Sequence, residues 1–446
     1  MLTLYRSNRA ELLAQVLAAQ LQLEPPGPLE QVQVVVNTWP TSRWLGEQIA
    51  TGISAGIAAN LRFPFPTSQL RQLVDHWLGG SPATGPDPWR AQNLVWPLLE
   101  QLPALLEQPE AAPLQRWLQQ RQGHSELRQL DRPLWQLTRA IADAIDDYGL
   151  YRPAMLEAWL QGNAVDSRGQ PLAPALLWQP LLVRSLAEAL PGEPFGLRAL
   201  ALIRRLQQGW RPDSRNPQPL RLFGLSSLAP VQVELLQAIS ACQAVELYLL
   251  TPCRDLWQRR EGAGSRDPLS SDWLLEVPGL EARFGRLGAE FQQLLEGSGE
   301  SQLGEWREGD LFFAPATVAA EQGRPASLLE QLQERLASGS ADGEAAEALQ
   351  APPGDTSLEF HACPGRLRQL QVLRDRLLQL LAADPNLEPR DILVMTPQVE
   401  AFAPLVGAVF GDSSATGVSL PWRLTDRSQQ SEAGISQGLL ELLQLG

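Results

Sequence analysis

The sequence predicts an α/β protein: a parallel sheet with a large all-helical insertion, followed by the start of a second α/β unit. Three observations carry that reading. Short runs such as Val32 to Val36, apolar but for Gln33, suit strands buried on both faces of a parallel sheet. Each is followed by a segment whose apolar residues recur at helical spacing, and this βαβα order implies a parallel sheet covered by helices. Between the early and the later strand signals lies a stretch, 69–208, with helical periodicity, rich in Leu, Ala, Gln and Trp.

Taken in order, Leu2 to Tyr5 is a short β-prone run, and Arg6-Ser7-Asn8-Arg9 leads into a helical pattern through about Gln22. Ser7 or Asn8 stands where a capping side chain belongs. Val32 to Val36 is the second strand, a helix follows from about Pro40 to Ile53, and the segment to Pro66 completes the first part of the sheet domain, 1–68. After the insertion, strand signals return at Leu220 to Phe223 and Val245 to Leu250, on either side of a helix from about Pro230 to Ser240. These rejoin the first sheet, giving it a second part over 209–296. Residues 297–354, rich in Gly, Glu, Ala, Ser and Pro, read as a flexible linker holding one helix, about Ala326 to Ala337. The second unit, 355–446, has strands expected at Leu358 to His361 and Asp391 to Met395. Helices are expected there at Gly365 to Ala382, Gln398 to Val409 and Ser431 to Leu445. Two strands are too few for an independent parallel sheet, so this unit is expected to be incomplete.

Charge and composition narrow the function. The 50 acidic residues outnumber the 36 basic ones, for a net charge of −14. Phosphate neutralisation supplies most non-specific affinity for DNA, so this balance argues against a protein that coats DNA. It leaves room for a local arginine-lined channel. All 36 basic residues are arginine, and lysine is absent. That excludes the phosphate-binding lysine of P-loop NTPases, Schiff-base chemistry and lysine-dependent nuclease sites. Cys242, Cys253 and Cys363 show no metal spacing and read as reduced thiols, which points to the cytoplasm. No apolar run is long enough to span a bilayer, and the start lacks the features of a secretory signal.

Several stretches stand out along the chain: Tyr5-Arg6-Ser7-Asn8-Arg9, the run from Gly56 to Pro66 ending Phe63-Pro64-Phe65-Pro66, and Ile145-Asp146-Asp147-Tyr148-Gly149-Leu150-Tyr151-Arg152-Pro153. Leu222 to Pro230, Tyr248 to Arg254, Glu388 to Met395 and Leu424-Thr425-Asp426-Arg427 follow. In their order and spacing they resemble the RecC family, the DNA-handling subunits of RecBCD (exodeoxyribonuclease V). The resemblance implies a superfamily-1 helicase architecture. The sheet domain is then RecA-like, 69–208 is a 1B-like insertion, and 355–446 begins a second, 2A-like unit. It also implies a non-catalytic role in double-strand-break repair and recombination: splitting the duplex and scanning the 3′-ended strand for Chi. RecB-like and RecD-like subunits and DNA are the implied partners, with no cofactor and no metal. The alternatives are an AddB-type helicase–nuclease subunit with catalytic parts beyond residue 446, and a helical scaffold that binds only protein.

A phosphate loop needs glycines, a lysine and Ser/Thr for magnesium. The loop from Arg6 to Arg9, in the corresponding place, has neither glycine nor lysine, so no ATP hydrolysis is expected. Gly52-Ile53-Ser54-Ala55-Gly56 fits the nucleophile-elbow pattern, but a helix precedes it where a strand is required, so it is a chance match. His76, His124 and His361 are isolated, and His361 with Cys363 makes only a two-ligand pair. Asp143, Asp146 and Asp147 share one helix face by spacing. A solvated face is the plain reading. The resemblance instead places them in the tunnel that scans the strand, where carboxylates accept from exocyclic amines such as cytosine N4. It implies DNA contacts in three stretches: Asn37, Trp39 and Arg43; Phe65 and Arg71; and Asp143, Asp146, Asp147 and Arg152. The arginines suit phosphates or guanine edges, Asn37 a base edge, and Trp39 and Phe65 stacking on unpaired bases. Core packing is the alternative for the two aromatics. Trp39, Arg43 and Arg71 depart in type from the best-known family pattern, so the recognised sequence does not transfer.

Overall fold

The computed structural model describes residues 1–27, 29–79, 86–122, 132–212, 218–252, 306–338, 348–411, 413–414 and 416–425, with single positions at 288, 291, 294, 295 and 442. The chain divides into two compact units, Met1–Pro352 and Pro353–Gly446. The first is built on a six-stranded sheet of β1 (Leu2–Ser7), β2 (Val32–Val35), β3 (Leu61–Arg62), β4 (Leu220–Phe223), β5 (Val245–Leu250) and β6 (Trp306–Asp310). The order is β3-β2-β4-β5-β1-β6 and every pairing is parallel, so each connection must cross a face of the sheet.

Side-chain alternation sends the strands' apolar residues to two different cores. Val34, Phe223 and Tyr248 meet Leu13 and Leu17 of α1 (Ala10–Leu23) and Leu45 and Ile49 of α2 (Trp39–Gly52). Their neighbours Val35, Leu222 and Leu247 meet Leu235 and Ile239 of α10 (Pro230–Ser240), with Leu70 of α3 (Pro66–Trp77) and Leu202 of α9 (Phe195–Gln207). These strands are therefore mostly apolar, as their sequences anticipate, with Arg221 and Glu246 the paired exception on β4 and β5.

Two cross-strand rows stiffen the centre. Phe223, Tyr248 and Tyr5 stand opposite one another on β4, β5 and β1, with Tyr5 and Tyr248 stacked at 5.0 Å. The next residue of this row, on β6, is Gly309, where a Cβ would lie 3.0 Å from the Tyr5 ring. On the same face, Arg221 lies opposite Glu246 in a buried ion pair at 3.0 Å, and Glu246 also takes the Tyr248 hydroxyl at 3.0 Å.

Between β3 and β4 the chain forms α3, α4 (Ala91–Leu106), α5 (Ala112–Gln122), α6 (Arg132–Tyr151), α7 (Pro153–Leu160), α8 (Trp178–Ala189) and α9. This is the expected helical insertion. Its own core is made by stripes at helical spacing: Leu94, Leu98 and Leu102 of α4 against Ile141 and Ile145 of α6 and Leu182 and Leu186 of α8. The α6 and α9 backbones touch at Gly149 and Gly196, where a Cβ on Gly196 would sit 1.8 Å from the Gly149 carbonyl oxygen.

Three expectations are corrected. Residues 297–354, expected as a linker with one helix, contribute the edge strand β6 and the helix Pro315–Glu321 as well as the expected helix, here Leu328–Ser338. The β-strand hides in a Trp-Arg-Glu-Gly-Asp sequence because it is specified by pairing with β1 rather than by apolar alternation. In the second unit, the helices Arg366–Ala383 and Val399–Phe410 form as expected and pack through Leu370, Val409 and Phe410. Leu358 to His361 and Asp391 to Met395, however, form no ladder among the described residues, and Phe360 and Met395 are more than four-fifths exposed. An apolar run becomes a strand only where an adjacent edge offers hydrogen bonds. The expected helix from Ser431 to Leu445 lies outside the described residues, as do His124 and Cys253. Finally, neither Ser7 nor Asn8 caps α1. Its N-cap is Arg9, without a side-chain bond, because both polar side chains are engaged elsewhere.

Candidate nucleic-acid interface

A cavity of about 810 Å³ lies among α3, α4, α6 and the start of α9. The Phe63-Pro64-Phe65-Pro66 run builds its entrance. The Val36 amide at the end of β2 donates to the Pro64 carbonyl, Phe65 is the extended residue before α3, and Pro66 starts the helix with its φ already suited. On α3, Leu70, Val74 and Trp77 turn to the core, which leaves Arg71 and Asp75, one turn apart, on the cleft side. The opposite wall is α6. Its buried stripe of Leu134, Leu137, Thr138, Ile141, Ala142, Ile145 and Gly149 sets Asp146 at the stripe's edge, half in the cleft.

The ions of this cleft neutralise one another. Arg71 pairs with Asp87 at 3.0 Å and with Asp75 at 3.9 Å, and Asp75 also takes the Arg198 guanidinium. Asp87 is almost wholly buried; it accepts from the Trp89 amide at 3.1 Å, while its backbone carbonyl accepts from the Asn93 amide group at 2.6 Å. Asp146 accepts from the Ala91 amide at 3.0 Å and from Arg90 at 3.4 Å, so it caps the N-terminus of α4 from a neighbouring helix. Burial pushes its carboxyl up from the ordinary carboxylate range, against the lowering by the Ala91 amide and Arg90. Burial, and then the positive charge of Arg71, lower the Arg198 guanidinium.

Chemically, the aspartates are acceptors already in use, not free bases. The walls also carry neutral groups: the exposed amides of Gln72 and Gln92, the Ser68 hydroxyl, and the half-buried ring of Phe65. Trp39, 70% exposed, meets Phe65 edge-on at 5.4 Å, so a two-ring aromatic corner stands beside the entrance.

Of the residues singled out from sequence, Phe65, Arg71 and Asp146 line this one cleft, with Trp39 joined to it through Phe65. Asn37 and Arg43 are exposed near the start of α2 and do not line it; Arg43 pairs with Glu47 at 3.5 Å. Asp143 and Asp147 are exposed on α6, turned away from Asp146's partners. Arg152 is exposed ahead of α7, its guanidinium 5.7 Å from the Tyr148 ring centre. Asp75, Asp87 and Arg198 were not anticipated. The i,i+4 spacing of Arg71 and Asp75 was a usable signal, whereas Asp87 and Arg198 are brought in by tertiary packing. Among the described residues no group of three His, Cys, Asp or Glu could hold a metal, and His361 instead pairs with Glu359 at 3.1 Å. No described helix is long and apolar enough to cross a membrane.

The loop after β1 is organised differently. Ser7 donates its hydroxyl to the Leu311 carbonyl at 2.9 Å and accepts from the Arg9 amide at 2.9 Å. The Asn8 side chain donates to the Phe313 carbonyl and accepts from the Phe313 amide, both at 2.8 Å. The Arg9 guanidinium lies 4.6 Å from the centre of the Phe313 ring. The segment after β6 therefore straps the end of β1. Strand β4, two positions away, ends at Phe223-Gly224 with no carboxylate where a magnesium-binding acid would stand.

Fold and site together define a RecA-like α/β protein with a helical insertion and a strapped loop in place of a phosphate loop. The chain belongs to the RecC family: residues 2–338 match the family described as RecC, N-terminal domain. It is 32% identical to the RecBCD enzyme subunit RecC of Mycobacterium tuberculosis over 96% of its own length and 38% of that protein's. With the RecC subunit of Escherichia coli it shares 29% identity over its whole length and 41% of the relative. For Mycolicibacterium smegmatis the figures are 33%, 92% and 34%. The chain thus spans about two fifths of the length of these relatives.

Proposed function

We propose that this chain is a non-catalytic DNA-binding part of a RecBCD-type helicase–nuclease acting in the cytoplasm in double-strand-break repair. In this reading it helps split the duplex and passes the 3′-ended single strand through the cleft among α3, α4 and α6, where Chi is scanned. RecB-like and RecD-like partners supply motor and nuclease. Residues 1–68 and 209–296 form the RecA-like domain, 69–208 the 1B-like insertion, and 355–446 the beginning of a 2A-like unit.

The observation that carries the reading is the convergence of Phe65 and Arg71 from one stretch and Asp146 from another on one cleft, with Trp39 packed against Phe65. Neutralised ions, free amides and exposed ring faces suit unstacked bases better than they suit a duplex backbone. The lysine-free loop and its strap support the lack of ATP hydrolysis in this reading.

The test is binding of a labelled oligothymidylate, followed by anisotropy, to the wild-type chain and to Trp39→Ala/Phe65→Ala. Loss of two stacking surfaces is expected to weaken binding by about 1–3 kcal/mol per base lost. Within a reconstituted complex, the same variant should impair the response to Chi more than unwinding. Equal loss of both, or DNA-stimulated ATP hydrolysis by the purified chain, would count against this function.

A further inference from the structure

The helical insertion carries a second aromatic feature outside the cleft. Trp96 on α4 and Trp135 on α6 are 66% and 36% exposed, and their rings meet at 5.8 Å, tilted by 59°. Their helices have no shortage of buried positions: Leu94, Val95 and Leu98 on α4 and Leu134 and Leu137 on α6 are all in the core. Two large indoles placed together on the outer face are therefore not a packing necessity.

Charge gives the feature a direction. Arg132 and Arg139 stand three residues before and four after Trp135, on the same face of α6, and both are exposed. Neither has an ion-pair partner among the described residues, unlike Arg71, Arg90 and Arg198 of the cleft. The acids nearest along the chain are Asp131, just before Arg132 and outside the described residues, Glu100, one turn past Trp96, and Asp143, one turn past Arg139. In a chain of net charge −14, two exposed arginines with no ion-pair partner among the described residues, bracketing an indole pair, are groups able to hold an anion.

Position links this surface to the cleft. Gln92, one turn before Trp96, and Asp146, at the other end of α6, both line the cleft. From Asp146 the outer face of α6 runs through Asp143 and Arg139 to Trp135, about 16 Å at 1.5 Å per residue. A strand leaving the cleft along α4 and α6 meets the tryptophans next.

We propose that the Trp96–Trp135 pair with Arg132 and Arg139 is a second contact for single-stranded nucleic acid, continuous with the cleft, taking a base on the indole face and phosphates on the arginines. The proposal rests on the reading that the cleft itself holds a single strand. Ring faces accept any base, so this contact grips the strand without reading its sequence.

The experiment uses the whole chain and two oligothymidylates: one of about 4 nucleotides, enough for one site, and one of about 15, enough to reach both. Trp96→Ala/Trp135→Ala is expected to weaken the long probe roughly 5- to 150-fold and to leave the short one unchanged. Trp135→Phe alone should retain most of the long-probe affinity. Arg132→Ala/Arg139→Ala should flatten the slope of log affinity against log salt by about 1.4. Thermal melting of each variant separates lost contact from lost fold. Should the Trp96→Ala/Trp135→Ala variant hold the long probe as wild type does, while Trp39→Ala/Phe65→Ala weakens both probes, the second contact is wrong and the cleft reading stands. Failure of the wild-type chain to bind either probe overturns both. Intact long-probe affinity with lost binding of a protein subunit would make the patch a protein interface and overturn the proposal.

Discussion

The strapped end of β1 and the cleft beneath α4 use their polar groups to opposite ends. At β1, Ser7 and Asn8 are consumed by the backbone at Leu311 and Phe313, so neither side chain is left for a phosphate. In the cleft the ions are consumed too, Arg71 by Asp75 and Asp87 and Arg90 by Asp146, yet the space between the walls remains open. The difference teaches which groups to follow. Committed polar groups mark the scaffold in both places, and the cleft also keeps exposed amides and a ring face.

The largest expected effect tests whether the closed end is anchored from beneath. Glu246→Ala leaves Arg221 buried and unpaired in the sheet centre, and should cost about 3–5 kcal/mol in urea unfolding. Replacing both residues by apolar ones, Arg221→Met with Glu246→Leu, should recover most of it, since a buried pair offsets little more than its own desolvation. If the double variant is no better than the single one, the pair contributes more than mutual neutralisation.

In the cleft, Asp87→Ala removes the partner of Arg71 and the acceptor for the Trp89 amide. A loss of about 2–3 kcal/mol is expected, with weaker single-strand binding because the α3–α4 wall loosens. Stability lost with binding unchanged would show that this wall does not shape the site. At the strap, Asn8→Ala removes two neutral hydrogen bonds and should cost about 1–3 kcal/mol. Amide exchange should quicken at residues 311–313, with no gain of nucleotide binding. An Asn8→Ala protein that acquires ATP affinity would mean the strap, rather than the missing lysine, closes the site.

These regions also differ in how legible they were. Strands β1, β2, β4 and β5 and the helical insertion are written in local periodicity, because burial on both faces or on one stripe dictates composition, whereas the two-residue β3 is not. β6 is not, since its Trp-Arg-Glu-Gly-Asp sequence is selected by the neighbouring Tyr5 ring, which needs Gly309, and by the β1 edge. The spacing of Asp143, Asp146 and Asp147 predicted one acidic face. The structure separates them, because the stripe from Leu134 to Gly149 turns only Asp146 toward another element. Phe65 and Arg71 are near neighbours in sequence, but their meeting with Asp146 depends on the close approach of α6 and α9 at Gly149 and Gly196, a tertiary contact with no local signature.

Asp146 gives the sharpest comparison, because one side chain is both scaffold and wall. Asp146→Ala removes the acceptor at the start of α4 and should cost about 1 kcal/mol, as loss of an N-terminal cap does. Asp146→Asn keeps an oxygen for the Ala91 amide and removes the charge that burial disfavours, so it should be near neutral or mildly stabilising. The pH dependence follows from the sign of the shift. The folded carboxyl sits above its ordinary 3.8, so the folded chain holds the proton more tightly than the unfolded one. Its contribution is most favourable in acid and declines as pH rises from about 3.8 through the raised value. The stability difference between Asp146→Asn and wild type should therefore grow in the variant's favour across that window and level off above it. The opposite slope in urea titrations at several pH values would mean that Arg90 and the Ala91 amide outweigh burial. Asp146 would then belong with the sealed end of β1, a residue whose charge is wholly spent on holding the fold.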